Sequence, residues 1–237
     1  MATRRAARPK SNPAPTEAPS LAGPATKLPE LAYQILEEAI VTLKLPPGAV
    51  VSEQALAEMT GIGRTPIREA IQRLAREHLI VVLPQRGLLV AQVDIHKQLK
   101  LLETRREIER LICTSAARRA NEDERKRFAR LAEEFTKAAG KNDDIAFMRA
   151  DREFNELSLA AARNEFAEGA MRALHGLSRR FWYMHFKQSP DTPEMARLHA
   201  NVASAISKGD VPGAGKALDR LIDNIEQYTR ATVLEDR

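Results

Sequence analysis

Apolar residues recur at the three- and four-residue spacing of an amphipathic helix over most of the chain. The first such stretch runs from Leu31 to Leu43 and ends before Pro46-Pro47-Gly48, a strong helix stop. Beyond Asp94 the pattern is helical throughout. Asn, Asp, Gly or Pro near the breaks divide it into helices predicted at 94–119, 122–139, 143–162, 164–187, 193–208 and 211–233. Six helices of this length predict an all-α bundle.

The segment between Leu45 and Gln92 follows a different pattern. Ser52 is a good N-cap for a short helix, which ends at a Gly-containing turn over residues 60–63. A second helix follows, and Thr65 and Pro66 are predicted to be its N-cap and its first residue. The apolar stripe of this second helix is formed by Ile67, Ala70, Ile71 and Leu74.

Two strand-like runs, 79–83 and 88–92, flank Pro84-Gln85-Arg86-Gly87 and predict a β-hairpin with those four residues at its tip. Two short helices joined by a tight turn and followed by a hairpin are the plan of a winged helix-turn-helix, in which the hairpin is the wing. The predicted fold is therefore mainly α: an N-terminal winged helix-turn-helix with a small β-hairpin, followed by an all-α helical bundle of about six helices.

These patterns divide the chain into three segments. Residues 1–28 are rich in Pro, Ala, Ser and Arg and nearly lack large apolar side chains, so we expect a disordered basic tail. A basic arm that contacts DNA phosphates is the alternative for this tail. Residues 29–92 form the predicted winged helix-turn-helix domain, and residues 93–237 form the predicted helical domain.

The chain has 237 residues and a net charge of +5, most of it in the tail, so the folded part is nearly neutral. A DNA-binding surface must therefore come from the local placement of arginines. The single cysteine, Cys113, allows no internal disulfide, which fits a reducing compartment. The apolar run 79–83 is too short for a membrane span, and the basic start lacks the apolar core of a signal peptide. A cytoplasmic protein without a membrane segment is expected.

Arg64 and Arg68 lie four residues apart, so they share one face at the start of the second helix, opposite its apolar stripe. The first turns of such a helix enter the major groove, where an arginine binds guanine O6 and N7 with two hydrogen bonds. Thr65 adds a hydroxyl and a backbone N–H at a helix start, where phosphate binds well. These residues predict sequence-specific DNA binding.

Further along the same helix, Arg73 and Arg76 have a simpler interpretation. We favour a solvated face on which they pair with Glu69 and Glu77, rather than contacts with DNA.

The segment S-E-Q-A-L-A-E-M-T-G-I-G-R-T-P-I-R-E-A-I-Q-R-L-A-R-E-H-L-I, residues 52–80, resembles the N-terminal domain of GntR-type bacterial transcription regulators. The helical remainder resembles the FCD effector domain of the FadR subfamily, so the likeness extends over residues 30–233. The resemblance implies a homodimer that binds a near-palindromic double-stranded DNA operator, with a small carboxylate often releasing the DNA. It assigns effector binding and dimerisation to residues 93–237. The DNA contacts that it implies, with one wing-tip residue added, are Gln54, Gly63, Arg64, Thr65, Arg68, Gln85, Arg86 and Gly87.

FCD-type domains commonly hold a metal on three histidines and one aspartate. The resemblance places these four positions at Asp151, Asn155, His199 and Leu221. Two of the expected donors are lost, because an asparagine offers only a weak oxygen and a leucine offers nothing. Since a zinc or transition-metal site normally has at least three N, S or O ligands, we expect no metal and no cofactor. A fold-back of His175 or His185 into the site would contradict this expectation.

The same site remains a candidate for effector binding. The residues that we expect there are Arg105, Asp151, Asn155 and His199. Arg105 matches an inward-facing position of the family, where a guanidinium can bind a carboxylate with two hydrogen bonds. The alternative partners of Arg105 are Glu103, Glu109 and Asp151. Without a metal, the effector is a carboxylate or a less charged, more apolar molecule.

An aromatic cluster on one helix can either line this site or belong to the core or a dimer interface. Its members are Phe181, Trp182, Tyr183 and Phe186.

Three functional hypotheses remain. The first is a ligand-responsive transcription regulator, most simply a homodimeric repressor. The second is a DNA-binding dimer without effector response. The third is a metal-dependent enzyme built on the bundle, which needs Glu-x-x-His segments; the sequence contains none, so we expect no enzyme.

Overall fold

The computed structural model describes residues 27–185 and 192–235. Its fold is mainly helical, as predicted, with an N-terminal helix-turn-helix and small sheet followed by a helical bundle. Residues 1–26 of the predicted tail lie outside the described residues, as do the last two residues of the helix predicted at 164–187. Lys27 and Leu28, which were predicted to belong to the tail, are the first two residues of the first helix, and for residues 1–26 disorder stays a prediction.

The N-terminal part contains three helices and three short strands within the described residues. They are α1 (Lys27–Val41), β1 (Val50–Val51), α2 (Glu53–Thr60), α3 (Arg64–Arg76), β2 (Ile80–Leu83) and β3 (Gly87–Val90). The strands form one antiparallel sheet in the order β1-β3-β2, with Val50 opposite Leu89 and Ile80 opposite Val90. The predicted hairpin is therefore confirmed, and β1 joins it as a third strand too short to show alternation in the sequence.

The capping residues fix where α2 and α3 begin. The hydroxyl oxygen of Ser52 accepts a hydrogen bond from the Ala55 backbone N–H at 3.0 Å, which confirms Ser52 as the N-cap of α2. The prediction that Thr65 caps α3 is wrong, because α3 begins at Arg64 and Gly63 is its N-cap. Pro66 occupies the third helical position, where its missing N–H removes no intrahelical bond.

The predicted apolar stripe of α3 holds this part together. Ile67, Ile71 and Leu74 are fully buried against Leu36 and Ile40 of α1. Because this face is fixed to α1, the polar face at the start of α3 is left at the surface.

The remaining helices form the bundle. They are α4 (Ile95–Arg119), α5 (Glu122–Lys141), α6 (Asp144–Ala162), α7 (Glu165–His185), α8 (Thr192–Lys208) and α9 (Val211–Glu235). Asp94, Asn121 and Asp143 cap α4, α5 and α6 with side-chain oxygens that accept first-turn N–H groups. These local stop and start signals explain why the predicted bounds lie close to the observed ones.

The bundle core is rich in phenylalanine. Phe154 contacts Phe128 and Phe135 edge to face, with ring centroids 6.1 and 6.0 Å apart. Phe135 also lies against Phe147 at 5.9 Å. In the described ranges, no helix is long and apolar enough to cross a membrane.

Candidate nucleic-acid interface and buried polar cluster

The start of α3 presents the residues predicted to read DNA. Arg64, Thr65 and Arg68 are all exposed, on the side of the helix opposite its buried stripe. The N-cap Gly63 has no side chain to satisfy the first backbone N–H groups, which a helix leaves without intrahelical partners. Long cationic donors and free N–H groups at one helix end suit a base edge and a neighbouring phosphate.

Arg68 is held by a carboxylate that sequence reasoning missed. Its Nε lies 3.2 Å from both carboxylate oxygens of Glu53 on α2, and its Nη2 lies 2.8 Å from Glu53 Oε2. The hydrogen bond from Arg68, with the charges of Arg68 and Arg64, lowers the pKa of Glu53. The two residues are fifteen positions apart, so helical periodicity gave no signal for this pair.

The other predicted DNA contacts lie on α2 and at the wing tip. Gln54 is exposed, and its Nε2 donates to Glu58 Oε1 at 2.9 Å. Gln85 and Arg86 are exposed at the tip, where Gln85 and Gly87 have φ values of 60° and 96°. Gln54 follows Glu53 in the first turn of α2, and the tip residues lie at the end of the hairpin that follows α3.

Arg73, in contrast, uses its guanidinium for contacts within the protein. Its guanidinium lies 3.4 Å from the ring centroid of Tyr33, its Nε donates to Glu77, and its Nη1 donates to Glu30. The Tyr33 hydroxyl donates a hydrogen bond to Glu77, and burial together with this bond raises the pKa of Tyr33. Arg73 therefore ties α3 to α1, and Glu30 is a partner that the sequence did not suggest.

The candidate effector residues meet inside the bundle. Asp151 on α6 lies 3.1 Å from His199 Nε2 of α8, and Asn155 Nδ2 donates to the other Asp151 oxygen at 3.1 Å. The second ring nitrogen of His199 lies 2.8 Å from the Met195 carbonyl oxygen. Burial opposes ionisation of Asp151, but His199, His175 and Arg105 outweigh it, so the pKa of Asp151 is lowered.

Arg105 lies at the edge of this buried polar cluster, which comprises Arg105, Glu109, Asp151, Asn155, His175 and His199. Its Nε lies 2.5 Å from Glu109 Oε1, and both side chains are 14% exposed. Of the alternatives left open by the sequence, the structure therefore selects the salt bridge to Glu109. A carboxylate ligand would have to share or displace that bond.

The donors at the four family positions do not fit a metal ion. Asp151 and His199 are bonded to each other, Asn155 donates to Asp151, and Leu221 is buried in the apolar core. His175 is half-buried nearby, and desolvation lowers its pKa although Glu109, Asp151 and Glu156 face it. Within residues 27–185 and 192–235, no three His, Cys, Asp or Glu side chains are grouped to hold a metal ion.

The aromatic cluster divides between the core and the surface. Trp182 packs on Phe147, whose ring touches His199, whereas Tyr183 is exposed. Phe181 lies against the ring of His185. Phe186 lies outside the described residues.

Helix α7 also contacts the N-terminal part of the chain. Leu177 packs against its apolar core, and a Cβ added at Gly176 would lie 2.9 Å from Leu79. Arg179 pairs with Glu37 and Glu38 of α1, and the buried Arg180 donates to the Ala91 carbonyl oxygen at 2.9 Å. Arg180 Nε has no partner among the described residues, and burial lowers the pKa of Arg180 to about 10.

Comparison with family models gives two matches along the chain. The model described as "Bacterial regulatory proteins, gntR family" matches residues 28–90, and the FCD domain model matches residues 100–224. Together the two matches cover nearly all of the described residues.

Individual relatives agree with these matches. The HTH-type transcriptional repressor RspR of Escherichia coli K12 is 25% identical over 198 residues, or 84% of this chain and 87% of that protein. A transcriptional regulator in an unstable DNA locus of Streptomyces ambofaciens is 45% identical over 62 residues, 26% of each chain. The E. coli McbR/YncC structure superimposes with a TM-score of 0.74 at 18% identity, covering 87% of this chain and 98% of that one, which supports the fold.

Proposed function

The chain belongs to the gntR family of bacterial regulatory proteins with an FCD domain, and from this premise we propose that it is a homodimeric, effector-responsive repressor. It is an HTH-type transcriptional regulator and not an enzyme. The observation that carries the proposal is the start of α3, where Arg64 and Arg68 are exposed above a fully buried apolar face. A similar chain, RspR, is named a repressor, which supports repression rather than activation for this protein.

We propose that residues 29–92 bind DNA and that residues 93–237 bind the effector and form the dimer. The operator is then near-palindromic, because a two-fold symmetric dimer presents two copies of α3 to two half-sites. The proposed contacts beyond α3 are Gln54, Gln85, Arg86 and Gly87. Such a regulator works on the chromosome, so we place it in the cytoplasm.

The DNA contacts can be tested with an operator selected from a random duplex pool by the purified protein. Arg68→Ala should weaken operator binding by about 1–3 kcal/mol and relax preference at one base pair. Arg76→Ala removes the same charge from the exposed last turn of α3 and should weaken all duplexes alike. Unchanged operator affinity for Arg68→Ala at fixed salt would show that α3 is not the reading element.

For the effector we propose the buried polar cluster as its site. Arg105 is already paired with Glu109, and Asp151 adds a second negative charge, so the cluster supports a less charged ligand over a carboxylate. Binding there would reach the DNA-binding part through α7, which carries both His175 and the contacts of Arg179 with α1.

A thermal shift screen separates this proposal from a regulator without an effector. A ligand at 100 times its Kd stabilises the protein by about 2.7 kcal/mol, and each kcal/mol corresponds to roughly 2–4 °C in Tm at this size. Neutral aromatic compounds should raise the Tm more than aliphatic carboxylates, and zinc or a chelator should leave it unchanged. If no compound shifts the Tm and operator binding is intact, the chain is a DNA-binding dimer whose bundle only dimerises.

A further inference from the structure

The contact between Glu53 and Arg68 leaves one edge of the guanidinium free. The Glu53 carboxylate accepts hydrogen bonds from Arg68 Nε and Nη2 at nitrogen–oxygen distances of 2.8–3.2 Å. These two nitrogens form the side-on edge of the guanidinium. Arg68 Nη1 and the second hydrogen of Nη2 have no partner among the described residues, and they form the end-on edge. The Arg68 side chain is 65% exposed and that of Glu53 36%, so the pair lies at the surface and Glu53 covers only the side-on edge of the guanidinium.

Guanine recognition needs only that free edge. Guanine presents O6 and N7 side by side in the major groove, and a guanidinium fork matches them with two parallel N–H donors. The end-on pair of Arg68 supplies both donors while its side-on edge stays on Glu53. The carboxylate and the base therefore bind different edges of the same planar group.

The position of Glu53 makes it a stable support. It is the first residue of α2, where the helix dipole favours a negative charge and the Ser52 cap orders the backbone. Glu53 and Arg68 lie on the two helices of the helix-turn-helix, whose relative position is fixed by the buried Leu56 and Ile67. The carboxylate thus contacts Arg68 from a helix whose position relative to α3 is set by core packing.

We propose that Glu53 is a positioning residue that holds the Arg68 guanidinium in the plane required to read a guanine. This inference rests on the proposed DNA-binding role of Arg68. A free arginine must lose its rotamer freedom when it binds, whereas an arginine already held by Glu53 loses less. Glu53 then increases discrimination between bases rather than overall affinity, since its own charge repels phosphates.

The experiment uses the full chain, the selected duplex and a set of duplexes that each change one base pair. Fluorescence anisotropy at fixed salt gives the discrimination ratio at every position for the wild type, Glu53→Gln, Glu53→Asp, Arg68→Ala and Glu53→Gln/Arg68→Ala. Glu69→Gln is the matched control, because it removes one exposed negative charge from the residue next to Arg68 without touching the pair.

Glu53→Gln should lower discrimination at the base pair that Arg68 reads by about three- to tenfold, the cost of ordering one long side chain. Its affinity for unrelated DNA should rise as in Glu69→Gln. Glu53→Asp keeps the charge but shortens the reach, so it should also lose discrimination. In the Arg68→Ala background, Glu53→Gln should change nothing further at that position.

The outcomes separate the inference from the proposed function. If Arg68→Ala relaxes no base pair, the DNA-reading role of Arg68 fails and the inference falls with it. If Arg68→Ala relaxes one pair but Glu53→Gln and Glu53→Asp retain full discrimination there, only the inference fails. If Glu53→Gln increases operator affinity and discrimination together, Glu53 competes with the base for Arg68, and the positioning role is wrong.

Discussion

The contact of α7 with α1 can be tested by removing one arginine. Arg179 Nη1 lies 2.9 and 3.0 Å from the two carboxylate oxygens of Glu37, and its Nη2 lies 2.8 Å from Glu38. These bonds join the bundle to the first helix of the DNA-binding part. We expect Arg179→Ala to destabilise the folded chain, mainly because the Glu37 carboxylate loses its ionic partner.

The magnitude follows from how deeply each partner is buried. The Glu37 side chain is only 12% exposed, whereas those of Arg179 and Glu38 are 46% and 52% exposed. The Glu38 contact is therefore worth well under 1 kcal/mol. Leaving the nearly buried Glu37 unpaired costs about 1–3 kcal/mol, a value kept below that of fully buried pairs because Arg179 is half exposed. The expected fall in Tm is roughly 2–12 °C.

The acid dependence of this loss has a definite sign. Burial raises the pKa of Glu37 and Arg179 opposes that rise, so Arg179→Ala should raise it further. A carboxyl with a raised pKa binds more protons when folded, and the penalty of leaving it unpaired develops as pH rises above its ordinary value of 4.5. The destabilisation should therefore be largest at neutral pH and shrink as pH falls toward 4.5.

Urea denaturation gives the free energy of unfolding for each variant. Arg127→Ala is the matched control, because Arg127 and Glu153 form a pair within the bundle whose side chains are 45% and 47% exposed. This control should cost less than about 1 kcal/mol. A loss for Arg179→Ala no larger than that of Arg127→Ala would refute the reasoning and mean that water already solvates Glu37.

Three further predictions concern other sites. His175→Gln should flatten the fall of stability below pH 6.5, because the half-buried, desolvated imidazole resists a proton that the unfolded chain accepts, at up to about 1.4 kcal/mol per pH unit; urea midpoints that fall in parallel for both proteins from pH 7.5 to 5.5 would contradict it. Asn155→His with Leu221→His should create zinc uptake measurable by elemental analysis, and a double variant without zinc would count against the placement of residues 155 and 221 at the family's ligand positions. Gly87→Ala should cost about 1–3 kcal/mol in thermal unfolding, since φ is 96° and the new Cβ would lie 2.9 Å from the Val51 oxygen; an unchanged Tm would show that the wing tip adapts.

The fold was predictable because its signals are local. Apolar spacing, the Ser52 cap and the stop at residues 46–48 each act within a few residues, and the structure agrees with them. The start of α3 was misplaced for the same reason. Threonine before proline is a strong local signal for a helix start, but the extended Gly63 lets the helix begin at Arg64. The proline at the third position permits this start, because its missing N–H is among the first-turn donors that have no intrahelical partner.

The pairing of surface charges was not predictable from the pattern. Arg68 pairs with Glu53, which is fifteen residues away in the sequence, and Arg179 pairs with Glu37, which is 142 residues away. The sequence offers 37 basic and 32 acidic side chains, and nothing in helical spacing selects among pairs from different elements. Arg105 shows the opposite case, because its partner Glu109 is four residues along the same helix and was among the alternatives.

The buried polar cluster and the α7 contact together limit how regulation can work. Asp151 is held by His199 and Asn155, so an effector that enters the cluster must exchange with bonds that the protein already makes. His175 faces this cluster and stands one helical turn from Arg179, so any shift of α7 at the cluster also moves the arginine that holds α1. A ligand can change DNA affinity only through contacts that differ between two arrangements. The α7–α1 contact, in which Arg179 pairs with Glu37 and Glu38, joins the bundle to the helix that packs on α3, and we propose that it is the contact through which an effector changes DNA affinity.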